Sequence, residues 1–184
     1  MRARLPRAAQ ALTTTLVVVG LAAPVARAQA PSDPDLPRRL EEFGEWRALA
    51  AGSGEDRSCY VTPKAVPPAP AGRAKDRPLL YVTHRPGAGA YYVVSYFAGY
   101  AVKPGSEIEL DFGVARFRLF TQDGSNAAWA PSAEMDLRIV DALKAGWSVT
   151  ARGVDATGAE VSETIPLGGF SFALWRASQE CQVR

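Results

Sequence analysis

Residues that bind metals or carry redox chemistry are scarce in this sequence. Its 184 residues include one histidine, His84, and two cysteines, Cys59 and Cys181. A single histidine excludes a metal site built on two histidines, and two cysteines fall short of a structural zinc set. We therefore expect no metal ion and no cofactor.

The motifs of common enzyme classes are also missing. The sequence has no Gly-x-Ser-x-Gly nucleophile elbow, no phosphate-binding loop and no repeat of solenoid length. Gly87-Ala88-Gly89 lacks the strand-to-helix context of a dinucleotide site and is typical of a turn. These absences predict a protein that is not an enzyme.

Hydrophobic runs long enough to span a membrane are absent, but a shorter run lies near the N-terminus. Three arginines in the first seven residues precede an apolar stretch from Ala8 to Ala23. Ala26-Arg27-Ala28 then fits the small-x-small cleavage rule. Residues 1–28 are predicted to be a signal peptide, which implies a periplasmic or secreted protein; a retained N-terminal anchor is the alternative.

Cleavage at that point changes the charge of the chain. It removes four arginines and no acidic residue, which lowers the formal net charge from +2 to −2. No basic surface remains that would favour nucleic acid as a partner. The remaining 156 residues suit one domain, predicted over residues 43–184, after a flexible proline-rich lead-in over residues 29–42.

The two cysteines lie near opposite ends of that domain. In an oxidising compartment an even pair of cysteines indicates a disulfide. Two buried free thiols are the alternative.

Most of the chain shows strand patterns. Short β-rich runs cover Arg57 to Thr62 and Leu79 to Thr83, and Tyr91 to Tyr100 is apolar on both faces. The last pattern predicts a central strand that is covered on two sides. Pro63 to Pro78 carries five prolines and is predicted to be a surface loop.

Acidic and apolar residues alternate from Glu107 to Phe112, and Gly113-Val114 suits a two-residue hairpin turn. A hairpin turn there gives a single strand register that pairs apolar residues on one face and acids with bases on the other. The predicted cross-strand pairs are Leu110 with Phe117, Ile108 with Leu119, Asp111 with Arg116 and Glu109 with Arg118. The charged face is expected to be a solvated outer surface.

The C-terminal half adds two helices and a second hairpin. Pro131 to Lys144 is predicted to be helical with Ser132 as its cap, and Asp123-Gly124 before it forms a turn. A hairpin follows, from Trp147 to Gly153 and from Glu160 to Ile165. Apolar residues at helical spacing from Gly168 place Cys181 on a core-facing stripe, within reach of a strand residue such as Cys59.

Few residues are candidates for chemistry. His84 has no evident acid partner, so a structural role is favoured over catalysis. Tyr92, Tyr96 and Tyr100 form a stripe that could stack on a ligand, although core packing explains it more simply. Together with Arg85, these residues are the candidate binding set.

Several short segments, in this order, resemble the invasion-associated locus B proteins of alphaproteobacteria. These segments are spread over nearly all of the chain from Phe43 to Cys181. The segments are Phe43-Gly44-Glu45-Trp46, Ser58-Cys59-Tyr60-Val61, Tyr81-Val82-Thr83-His84-Arg85-Pro86, Gly99-Tyr100 with Lys103-Pro104-Gly105-Ser106, Leu119-Phe120-Thr121 with Ala128-Trp129-Ala130, and Leu167-Gly168-Gly169-Phe170.

The resemblance implies an all-β, immunoglobulin-like β-sandwich with one or two short helices, no enzymatic activity and no cofactor. It also implies a Cys59–Cys181 disulfide. Some members of the family have a further cysteine shortly after the tryptophan, where this chain has Arg47-Ala48-Leu49-Ala50.

The expected function is therefore that of an exported cell-envelope protein that presents a sandwich surface to an envelope or host macromolecule; the family name adds host-cell association or invasion. A periplasmic ligand-binding protein or hydrolase that uses the Thr83–Pro86 corner is the alternative. An enclosed pocket at His84 would favour the alternative, and an exposed apolar patch would favour a binding module. A structural envelope protein would show neither feature.

Overall fold

The computed structural model describes residues 36–64, 79–122 and 125–183, and all of them belong to one compact unit. The predicted signal peptide, residues 65–78 of the proline-rich loop and the Asp123-Gly124 turn lie outside the described residues. The predicted lead-in is wrong for its last part, because Arg38–Phe43 form a strand.

The described residues form ten strands and two α-helices. All neighbouring strands are antiparallel, in the order β1-β2-β3-β4-β5-β8-β7-β6-β9-β10. Their bounds are β1 Arg38–Phe43, β2 Trp46–Ala51, β3 Ser58–Pro63, β4 Leu79–Arg85, β5 Ala90–Phe97, β6 Glu107–Asp111, β7 Arg116–Thr121, β8 Ala127–Trp129, α1 Ala133–Ala145, β9 Ser148–Val154, β10 Glu160–Pro166 and α2 Phe170–Glu180.

The sheet curls so that its two halves meet across one core. The Trp46 indole of β2 donates to the carbonyl of Pro166 at the end of β10, at 2.9 Å. Its ring also packs edge-on against Phe170 of α2, with 4.9 Å between ring centroids. The ten strands and two short helices confirm the predicted all-β class. The two halves of the curled sheet face each other across the core, as the layers of a sandwich do. Immunoglobulin domains divide their strands between two separate sheets, whereas these ten strands form one continuous ladder.

The predicted hairpin is confirmed in its register. Leu110 pairs with Phe117 on the buried face, and Asp111 pairs with Arg116 on the charged face. The Phe112 amide donates to the carbonyl of Ala115 at 2.9 Å and closes the turn. On the charged outer face Arg116 and Arg118 are exposed, as expected, whereas Arg116 and Arg152 partly cover the Asp111 carboxylate.

Helix α1 covers the open end of a strand. Strand β8 pairs only with the last three residues of β5, so the amide of Val94 has no strand partner on that side. Asp136 of α1 is buried there and accepts the Val94 N–H at 2.8 Å. Ser132 caps this helix as predicted, by accepting the Met135 N–H at 3.2 Å.

Helix α2 is tied to the sheet by a disulfide. Cys59 of β3 and Cys181, which follows α2, are bonded, with 5.9 Å between their Cα atoms. The predicted core-facing stripe is confirmed, since Phe170, Ala173 and Ala177 are all buried. The bridge therefore joins two chain positions that are 122 residues apart.

The prediction of a doubly covered central strand is wrong. Strand β5 lies in the middle of the sheet, and its inner face is buried at Val94 and Tyr96. Its outer face is partly exposed, at Tyr91 and Phe97. The pattern is apolar on both faces because the outer face is itself an aromatic surface.

Candidate functional site

His84 lies on the inner face of β4, directly opposite Cys59 in the β3–β4 register. It is fully buried. Its Nδ1 atom accepts the backbone N–H of Tyr92 at 3.2 Å, and its Nε2 atom lies 3.1 Å from the Ser178 hydroxyl oxygen. Because Nδ1 accepts, the proton of the neutral ring is on Nε2, which donates to Ser178. Burial lowers the pKa of His84 from 6.5 to about 4, so the ring is neutral above that pH.

Two further residues of the candidate set surround this corner. Tyr92 has a φ of 58°, in the left-handed region that few non-glycine residues adopt, and its ring packs edge-on against His84 at 4.6 Å. The β4–β5 pairing has one extra residue on β5, at Tyr91 and Tyr92, while the exposed Arg85 points away from the buried His84 by ordinary strand alternation. The structure therefore brings the buried His84 into contact with the half-buried Tyr92 and leaves Arg85 on the surface.

Tyr96 and Tyr100 are buried in the core rather than displayed on a surface. The Tyr96 hydroxyl donates to Oε2 of Glu163 on β10. Burial, followed by the nearby Glu163 charge, raises the pKa of both tyrosines. Burial also raises the pKa of Glu163, whose Oε1 atom makes no hydrogen bond. This cluster is a polar link between the two layers.

The outer side of the sheet carries a different set of residues. Strand registers place Tyr81 opposite Ser95, Ser95 opposite Trp129, and Trp129 opposite Phe120. Side chains that oppose one another across neighbouring strands share a face. These four residues therefore form one row across β4, β5, β8 and β7.

Aromatic rings connect this row to its neighbours. Tyr81 packs edge-on against Tyr60 at 5.7 Å and against Phe97 at 5.6 Å, while Phe120 and Trp129 lie 6.2 Å apart. We call these five residues the aromatic face. Phe97 and Phe120 are exposed, and the other three are partly exposed.

A groove of about 580 Å³ runs over the aromatic face. Its described lining contains aromatic, hydroxyl and amide groups with one cation and no carboxylate. The lining residues are Ser58, Tyr60, Leu79, Tyr81, Thr83, Arg85, Ser95, Phe97, Ala98, Asn126 and Trp129. Aromatic residues and arginine are enriched in the cores of protein interfaces, whereas Lys, Glu and Asp are depleted.

The charged face of the β6–β7 hairpin differs in kind. Arg116 and Arg152 both lie within 3.5 Å of the Asp111 carboxylate, and Arg118 pairs with Glu107 at 3.7 Å. Acids and bases alternate there, so little net charge is left to attract a partner.

The chain matches no protein-family model, and comparison with curated proteins and with solved structures found no match.

Two further properties bear on the class of site. In the described ranges, no three His, Cys, Asp or Glu side chains are placed to bind a metal ion. No described helix has the length and apolar content to cross a membrane.

The sequence prediction missed the aromatic face. Leu79, Tyr81 and Thr83 alternate with the buried Leu80 and Val82, and both sets are largely apolar. Period-two alternation therefore could not tell the covered face from the open one. The signal was one bulky aromatic residue on the outer face of each of five strands, β3, β4, β5, β7 and β8, and it becomes visible only when the registers of these strands are known.

Proposed function

We propose that this protein is a non-enzymatic, exported cell-envelope protein that binds another protein through its aromatic face. The observation that carries the proposal is the groove over that face, which has aromatic rings on its floor and no carboxylate in its described lining. An exposed apolar patch of this kind is typical of an interaction surface.

Two observations support export. The Cys59–Cys181 disulfide is the kind of bond that persists in oxidising compartments and is rare in the cytosol. The N-terminal 28 residues have the charge and apolar pattern of a signal peptide. The resemblance to the invasion-associated locus B proteins agrees with the same compartment, and a role in host-cell association belongs to that resemblance alone.

The burial of His84 supports a binding role over a hydrolase at the Thr83–Pro86 corner. A general base must come within hydrogen-bond reach of the proton that it removes. Both ring nitrogens of His84 are already occupied, by the Tyr92 amide and the Ser178 hydroxyl.

Site-specific photo-crosslinking tests the proposal. Benzoylphenylalanine replaces Phe97 on the aromatic face or, as a control, Val114 in the hairpin turn, which is fully exposed. We expect a discrete cross-linked species from position 97 in intact cells and none from position 114. Adding Trp129→Ser to the position-97 protein should abolish that species, because it removes a neighbouring ring.

The same species from both positions would contradict the proposal, since it would report exposure rather than docking. A position-97 species that survives Trp129→Ser would contradict it as well. Osmotic-shock fractionation of the same cells tests export, which requires the protein in the periplasmic or secreted fraction.

A further inference from the structure

One end of the aromatic face carries an arginine with an unpaired side-chain nitrogen. Arg47 of β2 lies opposite Thr62 of β3 on the outer side of the sheet. Thr62 is only 2% exposed, and its hydroxyl interacts with that of Tyr81. Arg47 is half-buried, and its Nε atom is buried and makes no hydrogen bond. Because an unpaired buried polar group is costly, the Arg47 guanidinium is a candidate for binding a ligand.

The groups around Arg47 are hydrogen-bond donors. Extending the β3–β4 register by one residue beyond the Val61–Val82 pair sets Thr62 opposite Tyr81. The Arg47 guanidinium is near enough to Tyr60 and Tyr81 to act on the pKa of both hydroxyls. Burial, the larger cause, still raises both pKa values above the ordinary value, so both hydroxyls remain protonated.

The surrounding charge is positive. Glu42 of β1 lies opposite Arg47, and it is already paired with Arg39 at 2.9 Å and with Lys64 at 3.6 Å. No described acid forms an ion pair with Arg47. Two cations therefore neutralise the Glu42 carboxylate, and the Arg47 guanidinium adds further positive charge.

We propose that Arg47 and the hydroxyls of Tyr60 and Tyr81 bind a carboxylate of the partner protein. The inference rests on the proposed function, because Tyr81 borders both this subsite and the groove. A guanidinium with neighbouring hydroxyl donors is complementary to a carboxylate in charge and in hydrogen bonding. The partner is then a peptide segment in which an acidic residue lies beside a bulky apolar one.

Two short peptides that differ in one group test this inference. N-acetyl-Phe-Glu-amide offers a ring for the groove and a carboxylate for Arg47, whereas N-acetyl-Phe-Gln-amide offers the ring and a neutral amide. In ¹⁵N–¹H spectra of the full domain, the Trp129 indole N–H reports on the groove and the Arg47 Nε–H reports on the subsite. We expect the Glu peptide to shift both signals and to bind about tenfold more tightly than the Gln peptide, which shifts Trp129 alone.

Two variants complete the test. Tyr81→Phe keeps the ring of the aromatic face but removes the hydroxyl, so it should lower the affinity of the Glu peptide towards that of the Gln peptide. Arg118→Met, on the charged hairpin face, should change neither affinity. Equal binding of the two peptides at Trp129 with no Arg47 shift would overturn the carboxylate subsite and leave the groove standing. No shift at either signal with either peptide would overturn the groove and the subsite together.

Discussion

The hydroxyl of Tyr96 on β5 donates to the carboxylate of Glu163 on β10 and so joins the two layers of the sheet inside the core. Glu163 occupies a core position in a strand whose other inward residues, Val161 and Ile165, are apolar. Its second oxygen has no hydrogen-bond partner. Burial therefore favours the protonated form of the Glu163 carboxyl group that links the two layers.

This arrangement makes stability depend on pH in a defined direction. Burial raises the pKa of Glu163 above 4.5, so the folded state holds its proton more tightly than the unfolded state. Its contribution to stability is present below pH 4.5 and is lost as pH rises through the folded-state pKa. Glu163→Gln keeps an acceptor for Tyr96 without the ionisation, so it should gain stability relative to the wild type as the pH rises from 4.5 through the folded-state pKa of Glu163.

Urea denaturation of both proteins at several pH values measures that gain. The gain in free energy of unfolding cannot exceed about 1.4 kcal/mol per pH unit, which is the slope when the two states differ by one bound proton. A difference in free energy of unfolding that stays constant with pH would show that Glu163 is not buried as an acid.

His84 predicts a pH dependence of the opposite sign. Its pKa is about 4 when folded and 6.5 in the reference state, so the unfolded chain binds the extra proton between these values. Stability should therefore fall by roughly 3 kcal/mol as pH drops from 6.5 to 4. The chain has only this one histidine, so His84→Phe should remove that part of the slope.

The measurement is again denaturation across pH, with His84→Phe compared with the wild type. The variant should also lose about 1–3 kcal/mol at pH 7, because the Tyr92 amide loses its acceptor. Equal slopes in the two proteins between pH 6.5 and 5.5 would contradict the burial of the imidazole.

Reduction of the disulfide should destabilise the domain strongly. The Cys59–Cys181 bond closes a loop of 122 residues, which in the chain-entropy model corresponds to about 5 kcal/mol. Reductant should lower the denaturation midpoint of the wild type and leave that of a Cys59→Ala, Cys181→Ala double variant unchanged. Two reactive thiols per chain in the protein isolated from intact cells would refute the bridge.

Removal of the Asp136 carboxylate should expose the open end of β5. Asp136→Ala leaves the buried Val94 amide without an acceptor and should cost about 1–3 kcal/mol, whereas Asp136→Asn retains an oxygen and should cost less. Amide hydrogen exchange at Val94 should accelerate in the alanine variant. Asp141→Ala, on the exposed side of the same helix, is the matched control and should lie within about 0.5 kcal/mol of the wild type.

Local patterns were sufficient to predict the elements that depend on neighbouring residues. The β6–β7 hairpin could be predicted because both its charged and its apolar pairs agree in one register, and α1 because Ser132 and Gly146 bound it. The β-strand at Arg38–Phe43 was missed, because its pairing with β2 is what orders a highly charged segment.

The candidate site depends on long-range pairing and could not be predicted in the same way. Trp129 of β8 and Tyr81 of β4 lie in one row only because β5 pairs with both strands. No local sequence pattern reveals that strand order. Tyr96 and Tyr100 were placed in the candidate set by their spacing, but strand β5 turns Tyr96 into the core. Aromatic side chains suit both environments, so only the register distinguishes a packed ring from a displayed one.

The most direct test of the binding face is the affinity of the cross-linked partner, once identified, for matched variants of this protein. We predict that Phe97→Ser lowers the affinity at least about tenfold, because a central aromatic anchor of an interface contributes 2 kcal/mol or more. Leu137→Ser, which removes an apolar side chain of similar exposure on α1, should leave it unchanged. Equal affinities of the wild type and Phe97→Ser would contradict the assignment of the aromatic face as the binding surface.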